Sequence, residues 1–162
     1  MFSAGPEQPS AAVVLLASQD LKTPLASDEI SKILDLSPSY IKKLIRKLVV
    51  KGIVDSVPGT KGGISLAKLE GELSALDLVE AIEGPIHIFK SSGLIQYAFK
   101  DGNYAEKGAE VISVMFGGAN QLLIQYFSSI TVADLLKQST GVSELPKMDW
   151  STTSLSQFVR KR

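Results

Sequence analysis

The sequence of 162 residues contains no cysteine and a single histidine, His87. Without thiols the chain cannot form disulfides, bind an iron–sulfur cluster through thiolates or use a cysteine nucleophile. No cluster of histidine and carboxylate residues at metal-ligand spacing surrounds His87, and no nucleophile is paired with it. We therefore expect no metal, no cofactor and no enzymatic activity. We expect His87 to be buried or hydrogen-bonded to the backbone.

Long apolar runs are also missing. The chain has no stretch of 18 apolar residues, the length that reads as a membrane-spanning helix. The apolar run at residues 11–17 has neither a basic segment before it nor a cleavage pattern after it. Hydrophobic residues make up 44% of the chain, enough to bury a sizeable core. The sequence predicts a soluble, cytoplasmic protein without a membrane partner, folded as one compact domain or as a small domain with a long helix.

Charge is balanced overall but uneven along the chain. Seventeen basic residues match seventeen acidic ones. Residues 32–68 nevertheless contain eight basic and two acidic residues, a net charge of +6, and the remainder of the chain carries −6. Such a basic segment suits a polyanion such as double-stranded DNA, whose phosphates supply salt-dependent affinity.

The centre of the basic segment is predicted to be a helix from Ser37 to Lys51. Ser37 followed by Pro38 is a strong start signal, and Gly52 ends the helix. One face is apolar and is predicted to enter the core: Ile41, Leu44, Ile45, Leu48 and Val49. The opposite face has no acidic residue and carries Ser39, Lys42, Lys43 and Arg46, with Lys47 at its edge and Tyr40 near the start. Taken alone, such a face is ordinary solvated surface, but its neighbours in the chain favour a function.

Both neighbours of this helix match parts of a winged helix-turn-helix. Upstream, a helix capped by Ser27 or Asp28 is separated from the basic helix by a short break. Downstream, two short strands flank the glycine-rich loop at residues 58–63 and predict a β-hairpin. A phosphate-binding loop is disfavoured because the loop lacks both glycine-rich nucleotide motifs and no long helix begins there. The predicted fold class is mainly α with a small β-hairpin wing.

These segments resemble the Rrf2-type winged-helix transcription regulators. The matching motifs are S-x-S-Y at residues 37–40, K-G-I-V at 51–54, G-x-x-G-G at 59–63, L-D-L-V-E-A-I-E-G-P at 76–85 and I-T-V-A-D-L at 130–135. The resemblance implies a homodimer that binds an imperfect DNA palindrome, with the basic helix in the major groove and the wing in the minor groove. By position, it implies DNA contacts from Ser37, Ser39, Tyr40 and Lys42 and from the wing tip at Gly59 to Gly63.

The residue pattern and the resemblance together predict one DNA-binding surface. Base-edge contacts are expected from the first half of the basic helix, and phosphate contacts from the other basic residues. The predicted surface comprises Ser37, Ser39, Tyr40, Lys42, Lys43, Arg46, Lys47, Gly59, Thr60, Lys61, Gly62 and Gly63.

Three features depart from the family pattern. Pro58 stands where the wing usually has an arginine, so insertion into the minor groove falls to Lys61 or is weaker. Residues 1–10 replace the usual basic and aromatic residues of the first helix. Cluster-binding members carry three cysteines after the E-G-P motif, and this chain has none.

The other elements are predicted from their start and stop signals. Residues 1–9 are expected to be irregular at least in part, and residues 10–19 to form a helix. Another helix is predicted to follow Ser74 and to end at Gly84. Residues 86–89 alternate like a short strand, and Thr131 is predicted to cap a short helix. The predicted division is a DNA-binding domain at 10–84, a connecting or sensor region at 85–104, a dimerisation helix with a short C-terminal helix at 105–140, and a polar tail at 141–162. Trp150 and Phe158 in the tail either dock on the body or meet a partner.

A long helix is predicted over residues 105–128. One apolar stripe of this helix, here called the dimer stripe, has heptad-like spacing and consists of Ile112, Met115, Ala119, Leu122 and Tyr126. Other sides of the helix are also apolar, at Val111, Val114, Leu123 and Phe127. A small domain can bury only one side of such a helix, so the second side is predicted to meet another subunit. Gly117 and Gly118 each cost about 1 kcal/mol in a helix, which is tolerable where two backbones approach closely. A helix buried wholly within one chain is the alternative, which Asn120 and Gln121 disfavour.

We interpret the chain as a homodimeric, sequence-specific DNA-binding transcription regulator, a repressor that occupies a palindromic operator and blocks polymerase. The alternative is a winged-helix interaction module whose basic face binds an acidic protein surface. The signal is left open: a small molecule or a partner protein could act at residues 86–104 or at the tail.

Overall fold

The computed structural model describes residues 7–19, 23–59, 62–100, 102, 104–141 and 147–152. Within these ranges the helices are α1 (Glu7–Ser18), α2 (Ser27–Leu34), α3 (Pro38–Val50), α4 (Ala75–Glu83), α5 (Leu94–Ala98), α6 (Ala105–Ser128) and α7 (Val132–Thr140). Strands β1 (Val54–Val57) and β2 (Gly63–Leu66) form an antiparallel hairpin. The predicted fold class is confirmed. None of these helices is both long enough and apolar enough to cross a membrane.

Helix α1 begins at Glu7, earlier than the predicted start at residue 10. Pro9 lies in its first turns, where the missing N–H leaves no helical hydrogen bond unmade, and its ring is buried. The helix packs Ala12, Val13 and Leu16 into the core beneath the helix-turn-helix.

Helix α2 starts without a side-chain cap. Ala26 occupies the N-cap position, so the prediction that Ser27 or Asp28 caps this helix was wrong. Both residues lie within the first turn instead. There the Asp28 carboxylate still interacts favourably with the positive end of the helix dipole.

Ser31 fixes the turn between α2 and α3. Its backbone carbonyl accepts the N–H of Leu36 at 3.0 Å, and its hydroxyl donates to the Leu36 carbonyl. Asp35 lies between them with a φ of 52°, a left-handed conformation that aspartate tolerates better than most residues. These bonds set the angle at which α3 leaves α2.

Helix α3 confirms its predicted start. The Ser37 hydroxyl accepts the Tyr40 N–H at 3.3 Å, and Pro38 is the first helical residue. Its inner face buries Ile41, Leu44, Ile45 and Leu48. Val49 was predicted to join them but is 39% exposed, at the edge of the buried face.

Helices α4 and α7 begin with the same device. Ser74 and Asp77 form a capping box at the start of α4, and Thr131 and Asp134 form another at the start of α7. The Thr131 hydroxyl and amide donate to the Asp134 carboxylate and lower its pKa. The two starts are joined by the Ala75 N–H, which donates to the Ile130 carbonyl at 2.8 Å. Helix α7 consequently packs on the same core as the winged helix.

Residues 86–89 do not form the predicted strand. Ile86 is buried, and the Phe89 ring stacks on Phe116 of α6 with ring centres 4.6 Å apart. Side-chain packing on α6 therefore holds this segment where strand pairing was expected. His87 is exposed, so burial, the first of its two predicted roles, was wrong.

Residues 147–152 fold back onto the C-terminal end of α1. Trp150 is 8% exposed and belongs to the main core, so its side chain docks on the body of the protein. Lys147 Nζ donates to the Ala17 carbonyl at 2.6 Å and pairs with the Glu70 carboxylate at 2.9 Å. Phe158 lies outside the described residues.

We predict that the Lys147–Glu70 pair makes stability depend on pH. Partial burial raises the pKa of Glu70, but the hydrogen bond from Lys147, a backbone hydrogen bond and the charge of Lys147 together outweigh burial and bring this pKa below its ordinary value. A lowered pKa gives stability that is present above the unfolded-state value of about 4.3 and is lost as the pH falls through the folded-state value. Because both side chains are partly exposed, Glu70→Gln should cost at most about 1 kcal/mol at pH 7. Urea unfolding of both proteins at pH 7 and pH 3 tests this, and an equal difference at the two pH values would contradict it.

Candidate DNA-binding surface

The outer face of α3 is a continuous cationic surface. Lys42, Lys43 and Arg46 are all exposed on it, opposite the buried residues that anchor the helix. Within the described part of the chain, no carboxylate forms an ion pair with any of the three. The three charges are therefore available for phosphates or base edges.

The N-terminal turn of α3 combines local and outward roles. The Ser37 hydroxyl is engaged as the helix cap and also lies 3.3 Å from the Ser39 hydroxyl, which is exposed. Tyr40 is half-buried and packs against the core. Ser39 is thus more accessible than Tyr40, and DNA contact by these three residues stays a prediction.

Lys47 has a partner within the protein. Its Nζ donates to the Ile82 carbonyl in the last turn of α4 at 3.1 Å. Since α4 leads directly into residues 86–93, Lys47 links the basic helix to the predicted sensor region. Its part in DNA binding is expected to be smaller than that of Lys42 or Arg46.

Lys32 is also partly neutralised. It forms an ion pair with Glu29 at 2.9 Å on the surface of α2, and the hydrogen bond and charge of Glu29 raise its pKa. The effective basic surface is consequently centred on α3.

The wing is the β1–β2 hairpin, in which Val54 pairs with Leu66 and Val57 with Gly63. Its outer residues Asp55, Ser56 and Val57 are exposed. Thr60 and Lys61, which were predicted to contact DNA, lie outside the described residues. Gly59 precedes them with a φ of +110° and open space around it.

Gly62 and Gly63 are required by packing. A Cβ on Gly62 would lie 2.0 Å from the Val57 carbonyl oxygen. A Cβ on Gly63, whose φ is +156°, would lie 2.9 Å from Pro24. Because glycine alone fits both positions, these residues shape the wing whether or not their backbone touches DNA.

We predict that Gly62→Ala destabilises the fold by about 2 kcal/mol or more, because backbone must move to admit the methyl group. Gly71→Ala is the matched control, since nothing lies within 4 Å of a Cβ placed there. Urea denaturation of both variants measures the difference. A Gly62→Ala variant as stable as Gly71→Ala would contradict the packing requirement.

A second exposed surface runs along α6. Its outer stripe consists of Val111, Met115, Gly118, Leu122 and Tyr126, which recur at i, i+4, i+7, i+11 and i+15, and all are exposed. Three of them were predicted for the dimer stripe. The other two predicted residues, Ile112 and Ala119, are half-buried at its edge. A Cβ on Gly118 would meet no atom within 4 Å, so the folded chain itself does not require glycine there.

The family comparison decides the class of this protein. The Rrf2 family, described as iron-dependent transcriptional regulators, matches residues 6–138. The chain belongs to the Rrf2 family. Two relatives named as HTH-type transcriptional regulators agree with this. YffB of Lactococcus lactis is 32% identical over 138 residues, covering 85% of this chain and 88% of YffB. YwgB of Bacillus subtilis is 39% identical over 99 residues, which cover 61% of this chain and 64% of YwgB, slightly less than two thirds of that relative.

A solved structure matches the fold of this Rrf2 regulator. CymR, named the global cysteine regulator of B. subtilis, superposes with a TM-score of 0.63 at 21% identity, covering 85% of this chain and 97% of CymR. The expectation of a winged-helix DNA-binding transcriptional regulator that is not an enzyme is confirmed.

The iron in the family's description has no matching ligand set in this Rrf2 regulator. The whole sequence lacks cysteine, and its only histidine is exposed. Among the described residues, no three histidine or carboxylate side chains converge as a metal site would require. No step of the mechanism is therefore assigned to iron.

For three residues that build the two surfaces of this Rrf2 regulator, the sequence did not predict the structural role. Ser31 sets the turn, Lys47 binds α4, and Gly118 lies on the outer stripe. The available signal for Ser31 was a small polar residue next to the apolar Ile30, a few positions before a predicted helix start. The partners of Lys47 and the exposure of Gly118 depend on how α4 and α6 pack, which periodicity does not specify.

Proposed function

We propose that this Rrf2 regulator is a homodimeric repressor that binds a palindromic operator and blocks polymerase by occupying it. The observation that carries the proposal is the outer face of α3, where Lys42, Lys43 and Arg46 are exposed and have no carboxylate partner among the described residues. A helix held by its inner face against the core, with a cationic outer face, has the geometry of a major-groove reader.

The dimer part of the proposal rests on the outer stripe of α6. Met115, Leu122 and Tyr126 are each about 60% exposed or more, which is unusual for a contiguous apolar row on a monomer. Pairing α6 with its symmetry mate buries this row and doubles the reading helices. Two such helices then match the two half-sites of a palindrome.

Release of the protein from its operator is proposed to respond to a small apolar molecule or a partner protein that binds at the sensor region. A cavity of about 550 Å³ lies between α5 and α6 and is lined by Ile95, Phe99, Gly102, Tyr104, Ala105, Gly108 and Ile112. Its volume lies in the range of small-molecule sites. Its position beside the outer stripe supports coupling between occupancy and dimer geometry. The protein is proposed to act in the cytoplasm, where its DNA is.

The test is a titration against a labelled duplex from upstream of its own gene and against a scrambled duplex, at two salt concentrations. Sequence-specific binding predicts that the native duplex retains preference at the higher salt. Equal binding to both duplexes that disappears with salt, on every upstream region tried, would overturn the operator proposal. Light scattering on the free protein should give twice the chain mass of 17.4 kDa.

A further inference from the structure

Residues 147–152, called here the tail segment, complete the C-terminal end of α1. The Met148 N–H donates to the Ser18 carbonyl at 2.9 Å, and the Trp150 indole Nε1 donates to the Ser18 hydroxyl at 2.9 Å. The Met148 bond to Ser18 and the Lys147 bond to Ala17 satisfy carbonyls that a helix end leaves without partners. The tail segment is thus a fixed part of the fold, although it is far from the winged helix in sequence.

Gln19 joins the tail segment to the loop that enters the helix-turn-helix. Its side chain is buried, with 3% of the residue exposed. Oε1 accepts the Trp150 backbone N–H at 3.0 Å, and Nε2 donates to the Thr23 carbonyl at 3.0 Å, with Asp149 Oδ1 a longer 3.5 Å away. Both ends of the buried amide are therefore used, which makes the position intolerant of apolar replacement.

The loop after Thr23 in turn supports the wing. Leu25 and Ile64 exchange two backbone hydrogen bonds, each 2.9 Å long. Gly63 lies so close to Pro24 that no Cβ fits between them. A two-stranded hairpin is marginally stable by itself, so its orientation depends on this third, edge-on contact. The bonded path runs from Trp150 through Gln19 and residues 23–25 to β2.

We propose that Gln19 and Trp150 are positioning residues for DNA binding, which hold residues 23–25 against β2 and so fix the angle of the wing. A wing ordered before it meets the duplex loses less conformational freedom on binding. This inference rests on the proposed function, because it requires that the wing contact DNA.

The first measurement needs no DNA. Gln19→Met keeps the side-chain length and removes both hydrogen bonds, and Trp150→Phe keeps an aromatic ring and removes the indole bond to Ser18. Amide exchange at Leu25 and Ile64 should become about tenfold faster, the change expected when a buried hydrogen bond is removed. Val132→Ala, in the same core on α7, is the control for a general loss of stability. Exchange that rises no more at these two amides than in Val132→Ala would overturn the proposal. If Gln19→Met does not fold, the same exchange measurement on Trp150→Phe tests the proposal.

The second measurement is a double-mutant cycle with Lys61→Ala on operator affinity. Gln19→Met should weaken binding about five- to tenfold with the native wing and have little further effect when Lys61 is already replaced. Equal losses in both backgrounds would overturn action through the wing. If Lys61→Ala leaves operator affinity unchanged while Lys42→Ala weakens it, the wing does not contact DNA. The positioning role of Gln19 and Trp150 in DNA binding is then overturned as well. If amide exchange at Leu25 and Ile64 is unchanged in Gln19→Met while Lys61→Ala weakens operator binding, the positioning role is overturned and the proposed function stands.

Discussion

Leu122→Glu is expected to convert the protein from a dimer into monomers. Leu122 is 67% exposed on the outer stripe of α6, between Gly118 and Tyr126, so the proposed pairing of two α6 helices would bury it. A glutamate there would leave an unpaired charge in an apolar interface on each subunit, at a cost of about 3 kcal/mol or more. The dimer dissociation constant should rise by at least about a hundredfold, measured by analytical ultracentrifugation.

The chain supplies a close control for this experiment. Gln121→Glu introduces the same charge at the neighbouring exposed position of α6, off the outer stripe, and should leave the dimer intact. Gly118→Leu gives an independent check. It improves helix propensity by about 1 kcal/mol and its Cβ meets no atom of the folded chain within 4 Å, yet the leucine side chain would hold two paired helices apart. A Leu122→Glu protein that sediments as a dimer with the affinity of Gln121→Glu would end the proposed pairing through this stripe.

Lys42→Ala and Arg46→Ala are expected to weaken operator binding most among the surface substitutions. A side chain that contacts a base edge should cost about 1 to 3 kcal/mol, and one that contacts a phosphate less. The salt slope of the binding constant should fall by about one for each phosphate that the variant no longer neutralises. Neither residue packs on the core, so the free energy of unfolding should barely change. Fluorescence anisotropy on the native and scrambled duplexes at several salt concentrations measures both the affinity and its salt slope.

Two comparisons make the result specific to the outer face of α3. Lys137→Ala removes one exposed positive charge from α7 and should have little effect on binding. Lys47→Ala removes a charge from α3 that is hydrogen-bonded to the Ile82 carbonyl. It should weaken binding more than Lys137→Ala and less than Lys42→Ala. Affinities that remain unchanged in both Lys42→Ala and Arg46→Ala would remove α3 as the reading helix.

Helix α3 could be predicted from the sequence because its signals are local. The Ser37 cap, Pro38 at the first position and the apolar residues at helical spacing act within one or two turns of backbone, so the structure reproduces them. The capping boxes at Ser74 and Thr131 are local in the same sense. Predictions failed where a signal had two possible outcomes, as at Ser27, where a serine near a helix start lies one position inside the helix.

The surroundings of the site could not be predicted in the same way. Burial was one of the two roles predicted for His87, but residues 86–89 bury Ile86 and stack Phe89 on Phe116, which leaves His87 exposed. Trp150 presented two alternatives because an isolated aromatic has no periodicity from which to infer a partner. Its contacts with Ser18 and Gln19 depend on residues more than 130 positions away.

The sequence by itself determined the family, the helix-turn-helix with its wing, and which residues of α3 are cationic. The family follows from the motifs that carry the resemblance, whereas the helix-turn-helix and its wing follow from turn residues, helix caps and apolar spacing, whose energies are set by near neighbours along the chain. Only the tertiary structure decided that Lys47 binds α4, that packing requires glycine at Gly62 and Gly63, that Val111 and Gly118 belong to the outer stripe, and that the tail segment contacts the end of α1 and Gln19. Each of these depends on how separate elements approach one another, and that approach is set by the shape of a shared core to which no single segment contributes more than one face.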